Sequence, residues 1–163
     1  MYEIGDHVMY GMTGACRIKN IRTDQGGSNK DRKYYILAPI QESDSIIMIP
    51  IMNKETNMRP VLKKEEAEAL LRQLKDETIP WIDDSKERIK EYGELLKTGE
   101  PLVWLKLAKA LANEKIEKIE DGKKLSSSDD GIYKSAMKLL VGEFSISLDK
   151  EFSETEEYIV TFL

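Results

Sequence analysis

The sequence predicts an α+β fold in which a small antiparallel β-barrel precedes an all-helical domain. Residues 3–52 read as short strands, one of which alternates apolar and polar residues, and after Arg59 and Pro60 the apolar residues recur at helical spacing. The 163 residues, of which 40% are hydrophobic and 34% charged, suffice for one domain of ordinary size or two small ones. We therefore expect a barrel domain over residues 1–62, a helix and hinge over 63–84, and a helical domain over 85–163.

The first half of the chain reads as short strands separated by turns. In the stretch CRIKNI, Cys16 and Ile18 fall on one face of an extended chain while Arg17 and Lys19 fall on the other, which is the pattern of a half-buried strand. Aromatic and β-branched runs follow at residues 34–37 and 46–51, bounded by turn-forming residues. Several short antiparallel strands in so short a segment are typical of a strongly bent barrel of the SH3 or Tudor kind.

The second half predicts helices with defined starts and stops. The first covers residues 63–75 and ends before Pro80, the second covers 85–97 and stops at Gly99, and the third begins at Pro101. The third helix carries one apolar stripe, formed by Leu105, Ala108, Ala112, Ile116 and Ile119.

Three pairs of residues have the spacing of a capping box, in which a side chain caps the start of a helix. Ser126 with Asp129 and Ser127 with Asp130 open the predicted fourth helix. Ser153 with Glu156 opens a short last helix.

Composition excludes several functional classes. The single cysteine, Cys16, cannot form an internal disulfide, and with the single histidine, His7, it does not make a zinc site, so we expect neither metal nor cofactor. No apolar run is long enough to cross a membrane and the first residues lack a signal-peptide pattern, so we expect a cytoplasmic protein. The sequence GKKLSSS lacks the spacing of a phosphate-binding loop, and no nucleophile motif surrounds His7, so we expect no enzymatic activity.

The apolar stretch SIIMIPI is the most informative part of the first half. Ile46 and Met48 fall on one face of a strand and Ile47 and Ile49 on the other, so both faces need a cover. Either the stretch is an edge strand that accepts a strand from a partner, or the helix predicted over residues 63–75 folds over its outer face.

These motifs together resemble a known family. The order EIGDHVMYGMTGACRI, a glycine-rich turn, KYYIL, SIIMIP and MRPV is similar to the polymerase-interacting module of the CarD and CdnL family of bacterial transcription regulators. The same module occurs in the transcription-repair coupling factor. The second half, with KTGE and then KKLSSSDD leading into KSAMKLLVGEFSISL, is similar to the helical domain of CarD. The chain departs from the family pattern where Gly11 replaces a usual proline and Cys16 stands near a usual glycine.

The resemblance implies a non-enzymatic regulator of transcription initiation. Its barrel would bind the β subunit of RNA polymerase, and its helical domain would contact promoter DNA and stabilise the open complex. Met48 stands where family members can have an arginine, so docking here would depend on backbone pairing and apolar contact. The residues expected to bind polymerase are Arg22, Ile46, Ile47, Met48, Ile49 and Pro50.

The resemblance also implies a surface for DNA, mainly for its phosphate backbone and the edge of the melted bubble. Trp81 is the nearest match to the family's DNA-wedging tryptophan, although it lies a few residues upstream of the usual position, where Ser85 stands. Asp83 and Asp84 follow Trp81 and would repel phosphates, so an alternative is that Trp81 packs between the two halves. The basic residues that would contact phosphates are Lys86, Arg88, Lys90, Lys123 and Lys124. The alternative is that these charges form only a solvated surface.

A second class of function remains open. The net charge of −5 also fits a protein–protein adaptor that uses the barrel and never meets DNA. The oligomeric state is open as well, since a strand exchanged through residues 46–51 would turn a monomer into a dimer.

Overall fold

The structure is a computed structural model that describes residues 1–28, 31–42, 44–51 and 57–163. The chain divides into two compact units, residues 1–61 and residues 62–163. The first contains an antiparallel sheet and the second contains helices, so the predicted α+β class is confirmed.

The first unit is one five-stranded antiparallel sheet. The strands lie in the order β4-β3-β2-β1-β5, so β4 and β5 are the two edges, and a short 3₁₀ turn joins β1 to β2. Over the described residues the sheet stays open, so the predicted Tudor-like barrel does not close. The strands are β1 (His7–Tyr10), β2 (Gly14–Thr23), β3 (Lys33–Pro39), β4 (Ile47–Pro50) and β5 (Met58–Pro60).

One face of this sheet forms the core of the first unit. The alternation predicted for β2 holds, because Cys16 and Ile18 are fully buried while Arg17 and Lys19 are exposed. The pairing of β2 with β3 shifts by one residue between Ile18 and Asn20, and such a bulge bends a strand and increases its twist. The buried core consists of Val8, Cys16, Ile18, Tyr35, Leu37 and Ile49.

Gly11 stands where the resemblance led us to expect a proline, and its backbone conformation excludes one. Its φ is +45°, which proline cannot adopt because its ring fixes φ near −65°. Its N–H also donates a hydrogen bond of 3.1 Å to the carbonyl oxygen of Asn57, and proline has no such donor. The turn after β1 is therefore built for glycine.

The second unit packs its helices around α3 and α4. The helices are α1 (Lys64–Gln73), α2 (Ser85–Leu96), α3 (Pro101–Glu120), α4 (Ser127–Ser147) and α5 (Phe152–Val160). Trp104 of α3 is buried in this core, and its indole N–H donates to the carbonyl oxygen of Leu96 at 2.9 Å. Leu105, Leu111, Leu140 and Phe144 are fully buried beside it.

The predicted apolar stripe of α3 is correct only for its first half. Leu105 and Ala108 are fully buried, but Ile116 and Ile119 are 57% and 60% exposed. The last turns of α3 therefore leave apolar side chains in solvent.

Of the three predicted capping pairs, one caps a helix in the structure. Ser126 caps α4, since its Oγ accepts from the Asp129 N–H at 3.1 Å, whereas Ser127 is already the first residue of that helix. The predicted capping box of Ser153 is wrong, because α5 begins at Phe152 and Glu151 occupies the cap position.

The segment between α1 and α2 belongs to the second unit and is held there by side chains. Lys109 on α3 donates from Nζ to the carbonyl oxygens of Leu74 at 2.8 Å and Glu77 at 3.0 Å. Tyr92 on α2 donates from its hydroxyl to the carbonyl oxygen of Pro80 at 2.9 Å. The end of the first predicted helix and the start of the predicted hinge, residues 76–84, are thus tied to α2 and α3.

None of the helices in the described part of the chain is both long and apolar enough to span a membrane.

Candidate functional site

Strand β4 presents an apolar surface at an open edge of the sheet. Ile49 is in the core, whereas Ile46, just before β4, and Met48, within it, are 62% and 54% exposed. An edge strand leaves the main-chain N–H and C=O groups of its outer side unpaired within the sheet, which makes it a template for another strand. The alternative cover, the helix predicted over residues 63–75, buries its own Ala67 and Leu71 and packs on α3 and α4.

The structure brings Arg22 to the same surface as Met48. In the sheet Arg22 pairs with Tyr34, which pairs with Pro50, so the three lie side by side across β2, β3 and β4. Arg22, Tyr34 and Met48 line one shallow pocket of about 360 Å³. Of the expected docking residues, Ile47 and Ile49 point toward the core instead, opposite Leu37 and Tyr35.

Trp81 lies in the extended segment before α2 and is half-buried. Its ring centroid is 6.0 Å from that of Tyr92 in an edge-to-face arrangement, and 4.5 Å from the guanidinium carbon of Arg88. Trp81 therefore packs on α2, inside the helical unit.

Arg88 is buried and its donors are used inside the protein. It forms a two-pronged ion pair with Asp129 of α4, with Nε to Oδ1 at 2.9 Å and a terminal nitrogen to Oδ2 at 2.8 Å. Its other terminal nitrogen donates to the carbonyl oxygens of Ile82 at 2.7 Å and Asp83 at 3.2 Å. The sequence predicted that Arg88 contacts phosphates. Unlike the neighbouring lysines it is buried, so it does not present its charge to solvent.

The remaining expected DNA-contacting residues are exposed. Lys86 and Lys90 are four residues apart on α2 and so lie on one face of that helix, while Arg88 between them points inward. Lys123 and Lys124 are exposed in the turn that precedes α4. The Arg88–Asp129 pair joins α2 to the start of α4, which links the two sets of lysines through one rigid contact.

A pocket of about 470 Å³ lies beside Trp81, between the segment 78–83 and one face of α3. Two lysines line it, but Lys109 is bound to backbone carbonyls and Lys106 lies 3.8 Å from Glu77. Asp83 and Glu117 are exposed on its wall, so this side of Trp81 is acidic.

Ionisation of the buried groups follows from their surroundings. Burial raises the pKa of Asp129, but hydrogen bonds from Arg88 and Ser126 outweigh that effect and hold its pKa below the ordinary value. Burial raises the pKa of the Cys16 thiol to about 11, which leaves it protonated and a poor nucleophile. Across the described ranges, no three histidine, cysteine or acidic side chains come together as a metal site would need.

The sequence did not identify Asp129 as a residue of this site, although its carboxylate pairs with Arg88. The spacing of Ser126 and Asp129 did identify the cap of α4. Nothing in that spacing indicates that the carboxylate pairs with Arg88, which lies 41 residues away in the sequence.

The two units define a class of protein: an open Tudor-like sheet with an accessible edge strand, joined to a helical unit that displays basic residues. Comparison with known proteins gives a family match for each of the two units. Residues 2–62 match the family described as "CarD-like/TRCF RID domain", and residues 64–160 match "CarD, C-terminal domain". The chain belongs to the CarD family, whose members are transcription factors.

A curated relative supports the same assignment. The Bacillus subtilis (strain 168) protein named "Putative transcription factor YdeB" is 27% identical over 151 residues, which cover 90% of this chain and 92% of that protein. The module matched by residues 2–62 interacts with RNA polymerase in the transcription-repair coupling factor, which supports polymerase as the partner of this family.

Proposed function

We propose that this protein is a non-enzymatic regulator of transcription initiation that binds the RNA polymerase β subunit through its sheet and promoter DNA through its helices, and thereby stabilises the open complex. The observation that carries the proposal is the pair of family matches, which together span residues 2–62 and 64–160. Such a regulator acts in the bacterial cytoplasm and needs no cofactor.

The docking part of the proposal rests on the edge strand β4. Its outer main-chain groups would pair with a strand of the β subunit, and the side chains of Ile46 and Met48 would be covered in the contact. Ile49 and Ile47 would support the strand from the core side, and Pro50 would end it. Arg22, beside Met48, would meet an acidic group at the rim, where a charge affects the association rate more than the affinity.

The DNA part of the proposal rests on exposed basic residues and Trp81. Lys86, Lys90, Lys123 and Lys124 would neutralise phosphates, while the Trp81 ring would contact an unstacked base at the edge of the bubble. Arg88 would contribute by holding Trp81 instead of by touching DNA.

A protein–protein adaptor is the second candidate, and the acidic side of Trp81 favours it. Asp83 and Glu117 line the pocket beside the ring and would repel a phosphate placed there. An adaptor of this kind would bind polymerase without any salt-dependent contact to promoter DNA.

Binding of the full-length chain to bacterial core RNA polymerase tests the docking part. We expect Met48→Glu to weaken binding about tenfold or more, because a carboxylate in a covered apolar contact is left without water. Met12→Glu is the matched control, since Met12 is 49% exposed and Met48 54%, and Met12 lies outside β4. Equal affinities for the two variants would reject β4 as the docking strand.

A second copy of the chain is the competing occupant of the same edge. Strand exchange through β4 would give a dimer at high protein concentration when polymerase is absent, and a monomer otherwise. Sedimentation of the wild type and Met48→Glu across a concentration series distinguishes the two states.

A further inference from the structure

We propose that the buried Arg88–Asp129 ion pair is a positioning device for Trp81, which fixes the indole ring in the orientation in which it meets its partner. This inference rests on the proposed function for the nature of that partner, a base at the edge of melted DNA. The positioning itself concerns only contacts within the helical unit.

The backbone on both sides of Trp81 is held by side chains of α2. Before Trp81, the carbonyl oxygen of Pro80 accepts from the Tyr92 hydroxyl at 2.9 Å. After Trp81, the carbonyl oxygens of Ile82 and Asp83 accept from Arg88 at 2.7 and 3.2 Å. The segment has no regular secondary structure, so these side chains supply the hydrogen bonds that a helix would otherwise provide.

The ring of Trp81 is held as well as its backbone. The Arg88 guanidinium lies 4.5 Å from the ring centroid, within the range of a cation–π contact, and Tyr92 packs edge-to-face at 6.0 Å. One residue, Arg88, therefore restrains the backbone after Trp81 and the indole ring together.

Asp129 fixes Arg88 in turn. The side chains of Arg88 and Asp129 are only 9% and 1% exposed, and the carboxylate meets the planar guanidinium at two points. The Ser126 hydroxyl donates a further hydrogen bond of 2.9 Å to Asp129 Oδ2, so α4 holds the carboxylate in one orientation. A lysine at position 88 could neutralise Asp129. Its ammonium group is not planar, so it could not bond to both carboxylate oxygens and the carbonyls while lying against the ring.

A ring fixed in this way is ordered before it binds. Ordering a large side chain at the moment of binding lowers affinity, and a pre-ordered ring avoids that loss. The pair thus explains how a tryptophan outside any helix could act as a rigid contact.

Fluorine NMR of the full chain labelled with 5-fluorotryptophan tests the positioning directly. The chain contains two tryptophans, Trp81 and the core residue Trp104, and Trp81→Phe assigns their two signals. We expect Arg88→Lys and Asp129→Asn to shift and broaden the Trp81 signal while the Trp104 signal stays in place. Asp130→Asn is the matched control, because Asp130 is the next residue and pairs with Lys134 at 2.8 Å, but at the surface.

Each outcome of this experiment supports or overturns the positioning of Trp81 by Arg88 and Asp129. A Trp81 signal that is unmoved in both Arg88→Lys and Asp129→Asn overturns the proposal. Collapse of both tryptophan signals to the chemical shift of the unfolded chain in both variants also overturns it, because the pair would then serve only folding. If Asp129→Asn alone unfolds, Arg88→Lys gives the answer.

Binding to forked promoter DNA separates this inference from the proposed function. Loss of a base–aromatic contact weakens binding about tenfold, so we expect that loss for Trp81→Ala, a smaller loss for Asp129→Asn, and no further loss when the two are combined. Additive losses would contradict positioning. If Trp81→Ala binds as tightly as wild type, the DNA role of Trp81 fails, whereas the NMR result still decides whether Arg88 and Asp129 position the ring.

Discussion

The guanidinium of Arg88 lies 4.5 Å from the ring centroid of Trp81, and both residues belong to the helical unit. This contact assigns the tryptophan to the surface of α2 and the arginine to the interior beneath it. The same arginine bonds to Asp129, so the start of α4, the start of α2 and the segment before α2 form one connected structure.

Replacement of Asp129 by asparagine should destabilise the helical unit by about 3 kcal/mol, because it leaves the buried Arg88 charge uncompensated. The measurement is chemical denaturation followed by helical circular dichroism. The surface pair of Asp130 and Lys134 provides the comparison, and Asp130→Asn should leave the free energy of unfolding close to that of the wild type. Equal losses of unfolding free energy for the two variants would show that the buried pair stabilises the protein no more than the surface pair.

At low pH, Asp129 should no longer stabilise the folded protein. Since the pKa of Asp129 is lowered in the folded protein, its stabilising effect is complete above the unfolded value of about 3.9 and is lost as the pH falls through the lower folded value. The stability difference between wild type and Asp129→Asn should therefore be constant from pH 7 to pH 5 and shrink below about pH 4. A difference that changes between pH 7 and pH 5 would contradict this ionisation.

Because the last turns of α3 are exposed, truncating a side chain there should cost less stability than truncating one in the buried part of the same helix. Leu111→Ala should cost about 2–5 kcal/mol because Leu111 is fully buried. Ile116→Ala should stay within about 0.5 kcal/mol because Ile116 is 57% exposed. Thermal or chemical unfolding of both variants checks the pair, and a large loss for Ile116→Ala would mean that this side chain is covered in solution.

Most of the fold could be predicted from the sequence because it follows from local patterns. The alternation around Cys16 and Ile18 gave β2, and Pro101 and Ser126 marked the starts of α3 and α4. That the sheet stays open could not be predicted in this way, since closure depends on whether the two edge strands pair with each other. The exposure of Ile116 also depends on where the neighbouring helices end, and no periodicity within α3 contains that information.

The candidate site could be predicted only in part. Alternation along one strand placed Ile46 and Met48 on the same face, but it did not indicate that this face is the exposed one. The inward direction of Arg88 could not be predicted, because its spacing from Lys86 and Lys90 is compatible with a basic surface until the position of Asp129 is known. Interactions between residues far apart in sequence, such as this ion pair, require the structure.

The lysines before α4 provide a test of DNA contact that does not involve Trp81. If Lys123 and Lys124 each neutralise one phosphate, each Lys→Gln change should reduce the slope of log affinity against log salt by about 0.9 on duplex DNA. Lys97→Gln is the control, since Lys97 is exposed at the other end of α2, where it pairs with Glu94. Unchanged slopes for Lys123→Gln and Lys124→Gln would remove these residues from the DNA surface.

The lifetime of open promoter complexes formed by bacterial RNA polymerase, measured after a competitor challenge, tests the central proposal most directly. We expect the wild-type chain to lengthen that lifetime, and both Met48→Glu and the double variant Lys123→Gln with Lys124→Gln to lose much of the effect, because the protein must hold polymerase and DNA together. A wild-type chain that binds polymerase but leaves the lifetime unchanged would contradict the proposal and favour the adaptor.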